Sequence, residues 1–120
     1  MRIEFFTTNS HRNPVIDFIE NQPKQDQAKI LGVLDSIRLL GLESNRAVFR
    51  QIEGKLWEIK IQGRDGSYRL FYAVLDKHTM TIVHGYKKQS QKAPTKEIEI
   101  AKKRIQEVMN REKDTPKHPI

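Results

Sequence analysis

The chain has no cysteine, which excludes disulfides, thiolate nucleophiles and cysteine-based zinc sites. It has no apolar run of the roughly 20 residues that a membrane-spanning helix needs. The opening Met1-Arg2-Ile3-Glu4 lacks the apolar stretch of a signal peptide. Together these absences predict a cytoplasmic protein. A Walker-type phosphate loop, G-x-G-x-x-G and H-E-x-x-H are missing too, and no histidines or carboxylates cluster at metal-ligand spacing. Neither a cofactor nor a metal is therefore expected. No internal repeat or linker divides the 120 residues, so one domain is expected over 1–112. The polar end, 113–120, carries Pro116 and Pro119 and is expected to be a flexible tail.

What is abundant is positive charge. The net charge is +7, and between His84 and Ile120 ten Lys/Arg face only five Asp/Glu. Such an excess favours an anionic partner. A membrane surface is anionic as well, but no strongly amphipathic basic helix with aromatic anchors is present. A hydrophobic fraction of 37% with 31% charged residues fits a chain that buries one core in water.

The pattern along the chain changes period twice. Ile3 to Thr7 reads as a first strand. Asn13-Pro14 reads as a helix start, with Asn13 as N-cap, and Val15, Phe18 and Ile19 give that helix one apolar face. From Lys24 to Leu40, Ile30, Val33, Leu34, Ile37 and Leu40 recur at helical spacing, with Gly41 as the stop. The two helices are expected to form an antiparallel hairpin. Val48–Ile52, Leu56–Gln62, Tyr68–Leu75 and Thr79–Lys87 read as four strands joined by short turns, hence mostly antiparallel. Pro94-Thr95 opens a last helix whose buried stripe is Ile98, Ala101, Ile105, Val108 and Met109. The order β-α-α-β-β-β-β-α is an α+β arrangement.

The most informative stretch is the hairpin Lys55 to Tyr72. Trp57, Ile59 and Ile61 alternate onto a core face, which leaves Glu58 and Lys60 on the other. On the next strand Arg69, Phe71 and Ala73 oppose Leu70, Tyr72 and Val74. Lys60, Arg64 and Arg69 thus share one hairpin, an unfavourable grouping unless an anion compensates it. Phosphate is the obvious anion.

Leu56-Trp57-Glu58-Ile59-Lys60-Ile61, then Asp65-Gly66-Ser67-Tyr68-Arg69-Leu70-Phe71-Tyr72, then His84-Gly85-Tyr86-Lys87-Lys88-Gln89-Ser90-Gln91-Lys92-Ala93-Pro94 with Glu97, Ile98, Ala101 and Arg104 resemble the RelE/ParE toxin superfamily. The closer resemblance is to its HigB-like branch, which includes phage-derived toxin-like proteins. The resemblance implies a RelE-like fold: a mostly antiparallel sheet with an N-terminal helical hairpin and a C-terminal helix. It implies the toxin of a type II toxin–antitoxin pair, an mRNA interferase that cleaves mRNA without a metal, in many members on the ribosome, and arrests growth. The implied partners are mRNA, the ribosome and a cognate HigA-like antitoxin with a helix-turn-helix domain. DNA would be contacted only through that antitoxin.

By the same resemblance Arg69 matches the arginine that contacts the scissile phosphate, against the plainer reading of a strand arginine paired with Glu58. Lys60 matches a lysine of the preceding strand, placed to bind phosphate or assist proton transfer, against a solvated sheet face. Lys87 and Lys88 stand at the strand exit where relatives place a basic catalytic residue. The run from Lys87 to Lys96 holds no acid, so Lys92 joins the RNA-binding candidates, although such runs are usually solvated. Arg64, in the turn, is placed to reach an RNA backbone. Tyr86 is the aromatic candidate for stacking on a base. Glu58 is read as orienting Arg69, with general base as the alternative. Of His11, His78, His84 and His118, none is assigned to catalysis, because alternation with Val83 leaves the face of His84 open. Two other classes stay open: a non-catalytic nucleic-acid-binding protein of phage origin, and a ParE-like gyrase-inhibiting toxin.

Overall fold

The computed structural model describes residues 1–89 and 94–114, with side chains described as far as Arg111. The elements are β1 (Arg2–Phe5), α1 (Pro14–Glu20), α2 (Lys24–Leu40), β2 (Val48–Glu53), β3 (Leu56–Gln62), β4 (Ser67–Asp76), β5 (Thr79–Lys87) and α3 (Thr95–Asp114), with a 3-10 turn at Gly41–Glu43. This is an α+β fold with three helices and a five-stranded mixed sheet in the order β1-β5-β4-β3-β2. Only the β1–β5 pairing is parallel.

The helix ends follow local chemistry. Asn13 Oδ1 accepts from the Ile16 N–H at 3.2 Å, and Pro14 opens α1. Gly41 takes φ 64°, which suits a residue without Cβ, and ends α2. The first strand stops at Phe5 rather than Thr7, because its ladder to β5 runs only from Thr79 to Ile82. The last helix passes the expected boundary at 112 and continues to Asp114. Positions 115–120 of the expected tail lie outside the described residues.

Both faces of the sheet are buried at its central strands, β3, β4 and β5. Helices α1 and α2 pack Val15, Ile30, Val33 and Ile37 onto Ile59, Leu70 and Ile82. Helix α3 packs Ala101 and Ile105 onto the opposite face, against Phe71, Ala73 and Val83. Tyr68 to Ala73 are therefore all buried, although period-2 alternation alone suggests one wet face.

One contact fixes the site hairpin to the helical layer. Asp26, in the first turn of α2, is fully buried. Its Oδ1 accepts the Arg64 N–H at 2.7 Å, and its Oδ2 accepts the Asp65 N–H at 3.0 Å together with the Tyr68 hydroxyl. The Tyr68 hydrogen bond is the chief reason the Asp26 carboxyl sits below its ordinary range; burial opposes it, and the two N–H groups and the Lys87 charge assist. Burial, with Asp26 second, pushes the Tyr68 hydroxyl up to about 12. Gly63 is the cost-free neighbour of this knot, since a Cβ there would stand 2.6 Å from Asp26 Cγ.

Two outcomes follow. Gly63→Ala should destabilise the fold by about 1–3 kcal/mol, read by urea unfolding, because the crowded atoms belong to a pinned carboxylate. Asp26→Asn should be less stable at neutral pH. Asp26 has a depressed folded pKa, so its contribution is present above the unfolded value of about 3.9 and is lost as pH falls through the folded one. The Asn variant should lose that part of the acid limb; an unchanged acid limb would refute the role given to Asp26.

Candidate functional site

The register of β3, β4 and β5 builds the site. Lys60 stands opposite Arg69, and Arg69 opposite Tyr86, so the three form one cross-strand row. The next row on the same face is Arg50, Glu58, Phe71 and His84. Arg69 and Glu58, at 8% and 2% exposure, are buried polar residues within the sheet. Glu58 Oε1 lies 3.8 Å from Arg69 Nε and 3.5 Å from Arg50 Nε. Arg69 Nη1 donates to Ser67 Oγ at 2.7 Å and to the Tyr68 carbonyl at 3.2 Å. The guanidinium is thus held on two sides, while among the described residues its Nη2 has no hydrogen-bond partner.

Arg69 also lines a cavity of about 310 Å³. Its lining includes Lys29, Arg46, Lys60, Ser67 and Arg69, and among the described residues no carboxylate. It lies where β2 begins: Val48 pairs with Lys60, so Ile61 and Gln62 have no β2 partner and the sheet edge is open. Lys29 and Arg46 were not singled out from the sequence. Each is a polar residue on a helix face or in a loop, and nothing in the spacing distinguishes it from a solvated charge.

The other expected residues divide. Lys88 sits beside the row, its N–H donating to the Ser67 carbonyl at 2.8 Å. Lys87 does not join it: it pairs with Tyr68, and its Cε fills the space where a Gly66 Cβ would be, on the Asp26 side of the sheet. Arg64 also turns to the helical layer, donating from Nη1 to Gln25 Oε1 at 2.8 Å. Tyr86 is buried and stacked on Phe71 at 5.5 Å, so its ring is more a wall of the site than an open platform. Burial, then Glu58, raises its hydroxyl pKa. Lys92 and His118 lie outside the described residues, while His11 and His78 are exposed.

A β-bulge settles the face of His84. Phe71 pairs with His84 and Tyr72 with Ile82, which leaves Val83 as the extra residue, so Val83 and His84 both face α3. His84 lies parallel to Phe71 at 6.3 Å and 6°. Arg104 Nη1 is 3.1 Å from His84 Nδ1, and Nε2 bonds to Glu97 Oε2. Arginine has no acceptor, so it donates to Nδ1, and the imidazole is neutral with its proton on Nε2. Burial lowers the His84 pKa, Glu97 opposes this, and Arg104 adds to it.

The profile of the family "Phage derived protein Gp49-like (DUF891)" matches residues 17–106, which span β2 to β5 and most of the helical cover but not β1. The chain belongs to the Gp49-like family. That family lies within the RelE/ParE-like toxin superfamily, and the Gp49-like fold here is compatible with a RelE-like one. No curated protein matches the chain. Among the described residues no helix is long and apolar enough to cross a membrane, and no group of three His, Asp or Glu side chains converges as metal ligands would.

In an NMR titration the His84 imidazole should change charge below about 6.5, and Glu97→Gln should lower that midpoint further by removing the group that supports the charged ring. A depressed histidine pKa means that the unfolded chain takes the proton first, so stability should fall as pH drops below about 6.5. A midpoint above 6.5 would refute the neutral assignment.

Proposed function

We propose that this Gp49-like protein is the toxin of a type II toxin–antitoxin pair, a HigB-like endoribonuclease that cleaves mRNA on the ribosome. The observation that carries the reading is the Lys60–Arg69–Tyr86 row, with Glu58 beside an arginine that lines a cationic cavity free of carboxylates among the described residues. Membership of a family within the RelE/ParE-like toxin superfamily supports it.

The reaction is an in-line transfer within the RNA. The ribose 2′-oxygen attacks the adjacent phosphorus as its proton passes to water, the bond from phosphorus to the 5′-oxygen breaks, and that oxygen takes up a proton from Lys88 or water. The products are a 2′,3′-cyclic phosphate and a 5′-hydroxyl. Arg69 offers two N–H groups to the phosphate oxygens and offsets the charge that builds on them. Lys60, across the ladder, holds the same phosphate and assists activation of the 2′-hydroxyl. Lys88 serves the leaving oxygen; Lys87, on the other face, is left out of this role. Glu58 is a positioning residue rather than the base, because its carboxylate is already engaged by two guanidiniums. A HigA-like helix-turn-helix antitoxin would silence the toxin by covering the cationic row, and would carry any contact with DNA.

Inducible expression in bacteria, with growth followed and mRNA 5′ ends mapped, tests this reading. Arg69→Ala should lower cleavage by about 10²–10³-fold and relieve growth arrest while the protein still folds. A folded Arg69→Ala variant with full activity would remove the mechanism. Arrest without cleavage would direct attention to gyrase, and salt-sensitive RNA binding without cleavage to a binding module.

A further inference from the structure

The cavity beside Arg69 holds more cationic charge than one phosphate needs. Lys60 and Arg69 come from the sheet, whereas Lys29 comes from α2 and Arg46 from the loop before β2. Among the described residues, Lys29, Arg46 and Lys60 form no ion pair. Four cations around about 310 Å³ repel one another unless anionic charge enters between them.

Arg46 lies against α2 on a loop held by hydrogen bonds. Its guanidinium lies over Gly32, where a Cβ would come within 3.4 Å of Nη2. Gly32 is in the interior of α2, where glycine is less favourable than alanine. The loop carrying Arg46 is tied down by a buried hydroxyl pair, Ser36 Oγ to Ser44 Oγ at 2.7 Å, and the Arg46 N–H donates to Ser44 Oγ at 3.3 Å. Arg46 therefore rests against a position of the helix that carries no side chain.

We propose that Lys29 and Arg46 form a second phosphate subsite, which takes the phosphate next to the one held by Lys60 and Arg69. Single-stranded RNA then crosses the open edge of β3 at Ile61 and Gln62 and passes from the sheet face to the α2 layer. This rests on the RNA-cleaving reading and adds the path of the strand. Two separate phosphates explain two pairs of cations from two layers, which one scissile group does not.

Binding of a short 2′-O-methyl RNA, whose blocked 2′-oxygens cannot attack, isolates the subsite from the chemistry. For a single strand the slope of log K against log salt changes by about 0.7 per phosphate contact. Lys29→Ala and Arg46→Ala should each weaken binding and reduce that slope, with the double variant losing about 0.7 in all if both hold one phosphate. Lys77→Ala, an exposed cation on the β4–β5 turn, should leave the slope unchanged. Gly32→Leu keeps every charge but occupies the place of Arg46, and should weaken binding as well. Wild-type-like affinity and slope in the folded double variant would overturn the subsite while leaving the RNA-cleaving reading intact. No salt-sensitive RNA binding by the wild-type protein would overturn both.

Discussion

The site depends on a buried carboxylate that takes no part in its chemistry. Asp26 receives two turn N–H groups and the Tyr68 hydroxyl, and so joins α2 to the β3–β4 hairpin at its tip. A buried charge is tolerated only when hydrogen bonds replace the water it has lost, and here three do so. The position of α2 relative to the hairpin follows from this. It is what allows Lys29 on the helix and Arg69 on the strand to line one cavity. Alternation then places Arg69, next to Tyr68 in the chain, on the opposite side of the sheet from the knot.

The second constraint is the balance of charge within the sheet. Glu58 stands among Arg50, Lys60 and Arg69, near two guanidiniums but at distances beyond a short hydrogen bond. One carboxylate cannot neutralise three cations, yet it can set the plane of Arg69 while Ser67 and the Tyr68 carbonyl hold one end. Such preorganisation keeps the remaining N–H groups in place before any ligand arrives, which is what electrostatic stabilisation of a transition state requires.

Much of this arrangement is legible in the sequence. Period-2 alternation puts Glu58 and Lys60 on one face of β3 and Arg69 on one face of β4, and the short turn brings the strands together. What alternation cannot give is register across a bulge. The extra residue Val83 turns His84 toward α3, so its links to Glu97 and Arg104 were hidden. The place of Lys87 off the Arg69 row was hidden for a related reason: adjacent residues at a strand end look equivalent until the pairing with Tyr68 is known. Asp26, Lys29 and Arg46 were invisible for another reason. Helix α2 announces its apolar stripe, but a charge off that stripe, or one in the loop that follows, looks the same whether it meets water, a buried tyrosine or a cationic cavity.

The open sheet ends explain why chemistry gathers where it does. At β2 the ladder stops at Lys60, and at β1 it stops at Ile82, so one edge of β3 and one of β5 run on without a strand partner. Over the central strands helices cover both faces. The cations therefore collect at the unclosed margin of a rigid sheet, where a flexible strand can approach and the supporting backbone does not yield. Their mutual repulsion is a standing cost to the folded state. An anionic ligand that binds only the folded arrangement relieves that cost, so occupancy of the cavity and stability of the fold are linked quantities.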